Sequence, residues 1–348
     1  MNILITGGCG FLGSNLARHG ASAGHCVTVF DNMCRVGACD NRAWLQSLGG
    51  VNFLEGDIRD FSAVTHATKT ATPDMVFHLA GQVAMTTSLA NPRSDFETNA
   101  LGTLNVLEAL REHAPRAGLI YSSTNKVYGD LACYTYEETA TRYRCLEHPN
   151  GFDETTPLEF HSPYGCSKGS ADQYILDYHR MFGIRGTVFR HSSMYGGRQF
   201  ATFDQGWIGW FCRMAVETRL GLRKEPFTIA GNGKQVRDVL HADDLVALYY
   251  SAAGQMDHVA GEAFNIGGGF GNSLSLLELF TCLGDLIGRP LDFISTPARQ
   301  SDQLVFIANL KKITQATGWK PRVDFRTGLL GMLDWSENLL QDSPLRDF

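Results

Sequence analysis

Short apolar runs alternate with stretches of helical periodicity through the first two-thirds of this chain, and that alternation limits what it can fold into. Runs at 2–6, 26–30, 51–55, 75–79, 118–122 and 186–190 read as strands, and 11–23, 61–69, 96–113 and 171–182 as amphipathic helices. Strands separated by helices of this length pair in parallel, because the helix must cross back over a sheet face. The expected fold class is therefore α/β, a Rossmann-type doubly wound parallel sheet with its ligands at the carboxyl ends of the strands. After Arg190 the rhythm gives way to Gly- and aromatic-rich loops over 195–210 and to isolated helices at 242–253, 275–287 and 326–339. This predicts a dinucleotide-binding domain over 1–190, with 238–260 threaded back into it. A smaller substrate-binding region then comprises 191–237 and 261–348. The polar stretch 131–156 reads as a long loop or lid.

Composition narrows the partners. The formal charge is −6 with both signs interspersed, and no basic stripe is present to track a nucleic-acid backbone. An anionic small substrate would have to be held by a few local arginines. The nine cysteines are scattered without a Cys-x-x-Cys pair or a zinc-type spacing, so no metal is expected and the thiols read as reduced. Residues 1–8 already form a strand entering a glycine turn, with no leader pattern, and no apolar run is long enough to span a bilayer. A cytoplasmic protein with no membrane partner is expected.

The motif Thr6-Gly7-Gly8-Cys9-Gly10-Phe11-Leu12-Gly13 closes the first strand and opens the first helix, the setting a dinucleotide fingerprint requires. Gly7 suits a tight turn, Gly10 a close approach of backbone to pyrophosphate, and Gly13 close helix–strand packing. The helix start at Phe11 and Leu12 offers free N–H groups to the phosphates. Asp31, with Asn32 after it, ends the second strand where a carboxylate bonds the adenosine ribose. A carboxylate there repels a 2′-phosphate, which favours NAD over NADP, although Arg35 lies close by. Asp57 and Ile58 are candidates for contact with adenine, and Leu79, Ala80 and Gln82 for the dinucleotide wall.

Tyr164 and Lys168 stand four residues apart on one predicted helical face, after a strand that ends Ser122-Ser123-Thr124. A phenol made acidic by a nearby ammonium, and by a positively charged nicotinamide, can accept a proton from a sugar alcohol. Thr124 is placed to hydrogen-bond the same substrate oxygen. These three form the candidate catalytic set, with Ser122, Tyr164 and Lys168 also facing the cofactor.

On these residues the chain resembles the extended short-chain dehydrogenase/reductase family over nearly its whole length. The glycine motif, Asp31, Asn99, Ser122-Ser123-Thr124, Val127-Tyr128-Gly129 and Tyr164/Lys168 sit where that family carries them. So do Arg237-Asp238-Val239 with Asp243, and Arg299 with Asp302. The resemblance implies NAD as cofactor, Asn99 as a support of its site, and Arg237 and Arg299, with Asp302, as a clamp on a nucleoside diphosphate. It also implies a homodimer or homotetramer, paired through helices near 96–113 and 171–182. Members that remove water across C5–C6 of a sugar carry Asp-Glu directly after the threonine. Here Asn125 and Lys126 follow Thr124, which argues against elimination and for reversible hydride transfer.

The runs 78–88, 121–130, 161–168, 190–199, 207–211 and 232–241 further resemble the branch of the family that inverts C2 of a CDP-linked sugar. That likeness implies oxidation to a 2-keto sugar nucleotide and return of the hydride to the other face. A CDP-sugar is accordingly the favoured substrate. Ala84, Thr124, Ser193, Met194 and Gln199 are the expected sugar contacts, and Phe160 and Tyr195 are further candidates for the pocket wall. The competing readings are a UDP-hexose 4-epimerase, a nucleotide-sugar dehydrogenase or reductase that releases its cofactor, and a non-enzymatic NAD-binding scaffold.

Overall fold

The structure is a computed structural model that describes residues 1–299 and 302–342. Seven parallel strands form the central sheet: β1 (Asn2–Thr6), β2 (Cys26–Asp31), β3 (Val51–Glu55), β4 (Met75–His78), β5 (Gly118–Thr124), β6 (Arg185–His191) and β7 (Ala263–Ile266). Their order across the sheet is β7-β6-β5-β4-β1-β2-β3, so the strand order reverses at β1 and opens a crevice at the carboxyl ends of β1 and β4. Helices cover both faces. On one side α1 (Phe11–Ser22) and α7 (Ala242–Ala253) bury Leu16, Ile5, Phe77, Leu248 and Tyr249 in one core. On the other, α3 (Phe61–Ala71), α4 (Gly102–His113) and α5 (Ser162–Phe182) bury Val64, Val76, Leu107, Leu110 and Ile175. The inner strands β1, β4 and β5 read as near-continuous apolar runs because both of their faces are covered.

Outside this sheet α6 (Trp207–Arg219), α8 (Leu276–Ile287) and α9 (Phe325–Asp342) enclose a third core around Phe211, Phe227, Leu279, Phe280 and Met332. A short strand, Val236–His241, connects the two parts: it pairs with Ser193–Tyr195 and with Ser273–Ser275 and runs into α7. No described helix is long and apolar enough to cross a membrane.

Four sequence expectations need correction. Ala263–Ile266, assigned above to the substrate region, is β7 and pairs with β6 of the central sheet. It lies beyond Arg190, outside the strand–helix alternation by which the other six strands were read. The segment 131–156 is no free lid. Tyr136–Glu138 pairs with Tyr143–Cys145 as a hairpin, and Arg142 fastens it through Nε to Glu278 Oε1 at 2.7 Å and Nη2 to the Ser273 carbonyl at 2.9 Å. The helix α2 (Ala38–Leu48) escaped the sequence reading because its interior face carries only Ala38, Asn41 and Leu45. The stretch 96–113 contains a π turn, Glu97–Leu101, ahead of α4, and that wider turn carries Asn99.

Candidate active site

The turn after β1 is built for a phosphate-bearing ligand. Gly7 has φ 69°, and a Cβ there would meet the Ala80 backbone nitrogen at 2.7 Å. A Cβ on Gly13 would lie 2.4 Å from the Gly7 carbonyl oxygen. Gly10 caps α1 in an extended conformation without a side-chain bond, so the first N–H groups of the helix face the crevice. Asp31 accepts the Cys9 N–H at 2.9 Å and the Met33 N–H at 2.8 Å, and burial raises its carboxyl above the usual range. Gly7, Gly10, Phe11, Leu12, Gly13, Asp31, Asn32, Arg35, Ile58, Leu79, Ala80 and Ser122 all border one cleft. A glycine turn at a helix start with a carboxylate beside it is the donor set NAD needs, and the residues present fit it.

Other residues named for the cofactor lie elsewhere. Asp57 is taken by Arg59, at 2.8 and 3.0 Å, and accepts the Asn32 amide at 2.9 Å. The guanidinium holds its carboxyl down at about 2. The Gln82 side chain turns to the Ala84 carbonyl and to Asp95 Oδ1, both at 2.7 Å. Asn99 accepts the Gln82 N–H at 2.8 Å and donates to the Gln82 carbonyl at 3.1 Å and to Ser167 Oγ at 3.0 Å. Gln82 and Asn99 thus hold the loop after β4 against α5. Ala84 is buried within this knot and borders neither cavity described here.

A second cavity of about 430 Å³ adjoins the cleft, and Val83 and Gln205 border both. Thr124, at the end of β5, and Tyr164, in the first turn of α5, line it side by side. Burial pushes the Tyr164 phenol up to about 12, against the opposing pull of its hydrogen bond with Thr124. Lys168 falls to about 7, also through burial, with Asp95 and Asp172 opposing. Its Nζ donates to the Ser122 carbonyl at 2.6 Å, over the Tyr121 ring at 4.3 Å. The expectation that Lys168 acidifies Tyr164 is therefore not met by the chain alone. Burial governs the phenol, and Lys168 faces Ser122 and Gly81 on the cofactor side.

The cavity continues past Lys126 to Arg237, Arg299 and Asp302. Asp302 Oδ1 accepts Arg237 Nη2 at 2.7 Å and Lys126 Nζ at 3.2 Å. Desolvation lowers Lys126 to about 8. Asn125 is locked to Gln303, its amide donating to Gln303 Oε1 at 2.8 Å. Ser193 lines the cavity and accepts the Trp207 indole N–H at 3.0 Å.

Met194 and Gln199, expected on the sugar, border the dinucleotide cleft instead: the strand Ser193–Tyr195 turns Met194 to the side opposite Ser193, and Gln199 donates its amide to the Met194 carbonyl at 3.1 Å. Tyr195 is buried against Gly328, Phe160 packs on Gly169, and neither lines the sugar cavity. Asp243 is exposed beside His241, while its neighbour in the motif, Asp238, is buried and accepts the Gly269 and Ala308 N–H groups. Sequence reasoning missed Arg198 and Phe200 on the cleft wall and gave Lys126 no role. For Arg198 the only hint was the glycine pair that precedes it.

A family model described as the NAD dependent epimerase/dehydratase family matches residues 3–267. The chain is 59% identical to a CDP-paratose 2-epimerase of Salmonella typhi, over 97% of this chain and all of that one. It is 30% identical to a dTDP-glucose 4,6-dehydratase of Mycolicibacterium smegmatis, over 96% of this chain and 93% of that one. Among solved structures it resembles a UDP-glucose 4-epimerase of Thermotoga maritima with UDP-glucose, at TM-score 0.83 and 28% identity, covering 98% of this chain and all of that one. A Thermus thermophilus UDP-glucose 4-epimerase in complex with NAD follows at TM-score 0.80 and 27% identity, covering 96% and 98%.

Proposed function

The chain belongs to the NAD dependent epimerase/dehydratase family, and on that premise we propose that it converts CDP-paratose to CDP-tyvelose by inverting C2 of the sugar. Its cofactor is NAD. The observation that carries the reading is the placing of Thr124 beside Tyr164 on the wall of a cavity that adjoins the dinucleotide cleft. The full-length likeness to the Salmonella enzyme supports the choice of sugar and nucleotide.

Bound NAD supplies a hydride acceptor, and then the donor, at C2. The protein's part is proton handling and orientation. Tyr164 Oη takes the proton of the 2-hydroxyl as the C2–H bond breaks and returns it after the sugar has presented its other face. Thr124 Oγ1 holds the phenol and orients the same sugar oxygen. Paratose lacks a 3-hydroxyl, so no neighbouring ketone acidifies the C2 hydrogen, and direct oxidation is the accessible route. Arg237 and Arg299 anchor the diphosphate while the sugar turns, with Asp302 as their counter-ion in the free chain.

The lining also argues against elimination. Its carboxylates, among the described residues, are Asp204 and Asp302. Thr202, Thr86 and Thr87 bond the first, and Arg237 and Lys126 hold the second. Next to Thr124 stand an amide bound to Gln303 and an ammonium, so a ketone intermediate meets no free carboxylate base there. A dehydratase needs such a base.

The test is product analysis by mass spectrometry and NMR after incubation with CDP-, UDP- and GDP-sugars and no added cofactor. CDP-paratose should be inverted at C2 with unchanged mass. Inversion of a UDP-hexose at C4, or turnover only with added NAD, would favour the competing enzymes. We propose further a cytoplasmic homo-oligomer that pairs through the exposed Phe96, Leu101, Tyr174, Met181 and Phe182, which light scattering would test.

A further inference from the structure

The segment 196–210 passes along both cavities. Arg198, Gln199, Phe200 and Ala201 border the dinucleotide cleft, and Phe203 to Trp207 border the sugar cavity. Arg198 makes more of the contacts that hold the first half than any other side chain named here, beside Asn15, Asn41, Gln199 and Phe200. Arg198 has φ 69°, a left-handed conformation that a residue with a side chain seldom adopts. Its guanidinium lies 4.6 Å from the Trp44 ring centroid, 5.0 Å from Trp335 and 5.6 Å from Phe200. Its Nε donates to Asn41 Oδ1 at 2.8 Å and its Nη2 to the Asp40 carbonyl at 3.1 Å.

Asn41 continues the chain of contacts: its amide donates to the Cys9 carbonyl in the glycine turn at 3.0 Å and back to the Arg198 carbonyl at 3.3 Å. From α1, Asn15 donates to the Gly197 carbonyl at 3.0 Å. Gly37 makes room for the Phe200 ring, since a Cβ there would sit 2.1 Å from it. Arg198 therefore ties α2, the phosphate-binding turn and α9 to one piece of backbone that covers the cleft. A guanidinium placed among three rings next to an anion site gives up much of its hydration, and its fork and charge must be satisfied locally.

We propose that Arg198 is a positioning residue that latches segment 196–201 over the dinucleotide, so that NAD stays bound from one turnover to the next. An enzyme that oxidises and re-reduces the same carbon needs this, because reduced cofactor lost midway strands a ketone. The inference rests on the NAD dependence stated above and not on the identity of the sugar.

The test compares Arg198→Ala and Arg198→Lys with the parent protein, each desalted and then denatured to count cofactor per chain. The dissociation constant of NAD is measured on stripped protein, with no sugar present. Arg198→Ala should leave the column with little cofactor and bind NAD about 30-fold more weakly, the equivalent of one desolvated cation–π contact. Arg198→Lys, which keeps the charge but not the planar stack, should fall between. At saturating NAD the Ala variant should regain most of its turnover and show a dependence on added cofactor that the parent lacks. If Arg198→Ala does not fold, Trp335→Leu, on α9 and off the cleft wall, should give the same loss in smaller measure. A variant that keeps the parent's cofactor content and NAD affinity while losing only thermal stability would overturn the proposal. A sugar panel that fails while the cofactor results hold would count against the epimerase reading alone.

Discussion

Burial makes the Tyr164 phenol a worse acid than tyrosine in water, at about 12, and the Thr124 hydrogen bond is the contact in the free chain that works the other way. Phenolate therefore grows with pH, and kcat/KM of the holoenzyme should rise from neutral into alkaline solution. Thr124→Val removes the stabilising bond, so the phenol's pKa goes up and the acid limb of the profile moves to higher pH. A limb that stays in place would show that Thr124 does not tune the phenol. Tyr164→Phe should cut turnover by roughly 10²–10⁴-fold while cofactor content remains that of the parent. Unchanged turnover would remove Tyr164 from the mechanism. At this scale the placing of Tyr164 and Lys168 on one helix was legible from their spacing, because a helix puts residues four apart on one face. Their charge states were not, since burial is a property of the fold. The pairing of Asp57 with Arg59, only two residues away, was likewise not read from the sequence.

The elements that bear the site tolerate little at their junctions. Gly13→Ala pushes a Cβ to within 2.4 Å of the Gly7 carbonyl, where backbone meets backbone and no flexible group can yield. Its cost should be on the order of 1–3 kcal/mol in urea unfolding, with loss of bound NAD. Gly10→Ala, whose Cβ meets only the Gly7 carbonyl at 3.2 Å, should cost less. Equal losses in the two would mean that the turn repacks. The hairpin Tyr136–Cys145 depends on Arg142 and its bonds to Glu278 and Ser273, so Arg142→Ala should speed hydrogen exchange over 136–145 with little change elsewhere. Strands β1 and β3 and helix α7 were readable almost to the residue because each pairs a strong apolar pattern with a clear stop. The hairpin was not: its strands have three residues each, and the bonds of Arg142, in its own turn, to the distant Glu278 and Ser273 supply the order that local pattern lacks.

Across the whole molecule the doubly wound sheet followed from strand–helix alternation, whereas the return of β7 to its edge did not, because that strand lies outside the alternation and its pairing with β6 is non-local. The threading couples the sheet to proton binding. His191, at the end of β6, bonds the Tyr249 hydroxyl of α7 at 2.9 Å, and His78, at the end of β4, lies between Thr6 and Thr103. Burial depresses both to about 3. A base whose folded pKa lies below its unfolded value near 6.5 contributes stability that is complete above that value and is lost as pH falls towards 3. Each neutral histidine should cost up to about 1.4 kcal/mol per pH unit over that window. His191→Phe should flatten the decline in urea stability between pH 7 and 5; an unchanged slope would mean the ring is not the proton acceptor. The measurement that bears most directly on the central claim uses CDP-paratose deuterated at C2, turned over in ordinary water without added NAD. The account predicts CDP-tyvelose that keeps its deuterium at C2, because the hydride leaves and returns within one closed site. Product with hydrogen from solvent at C2 would contradict it.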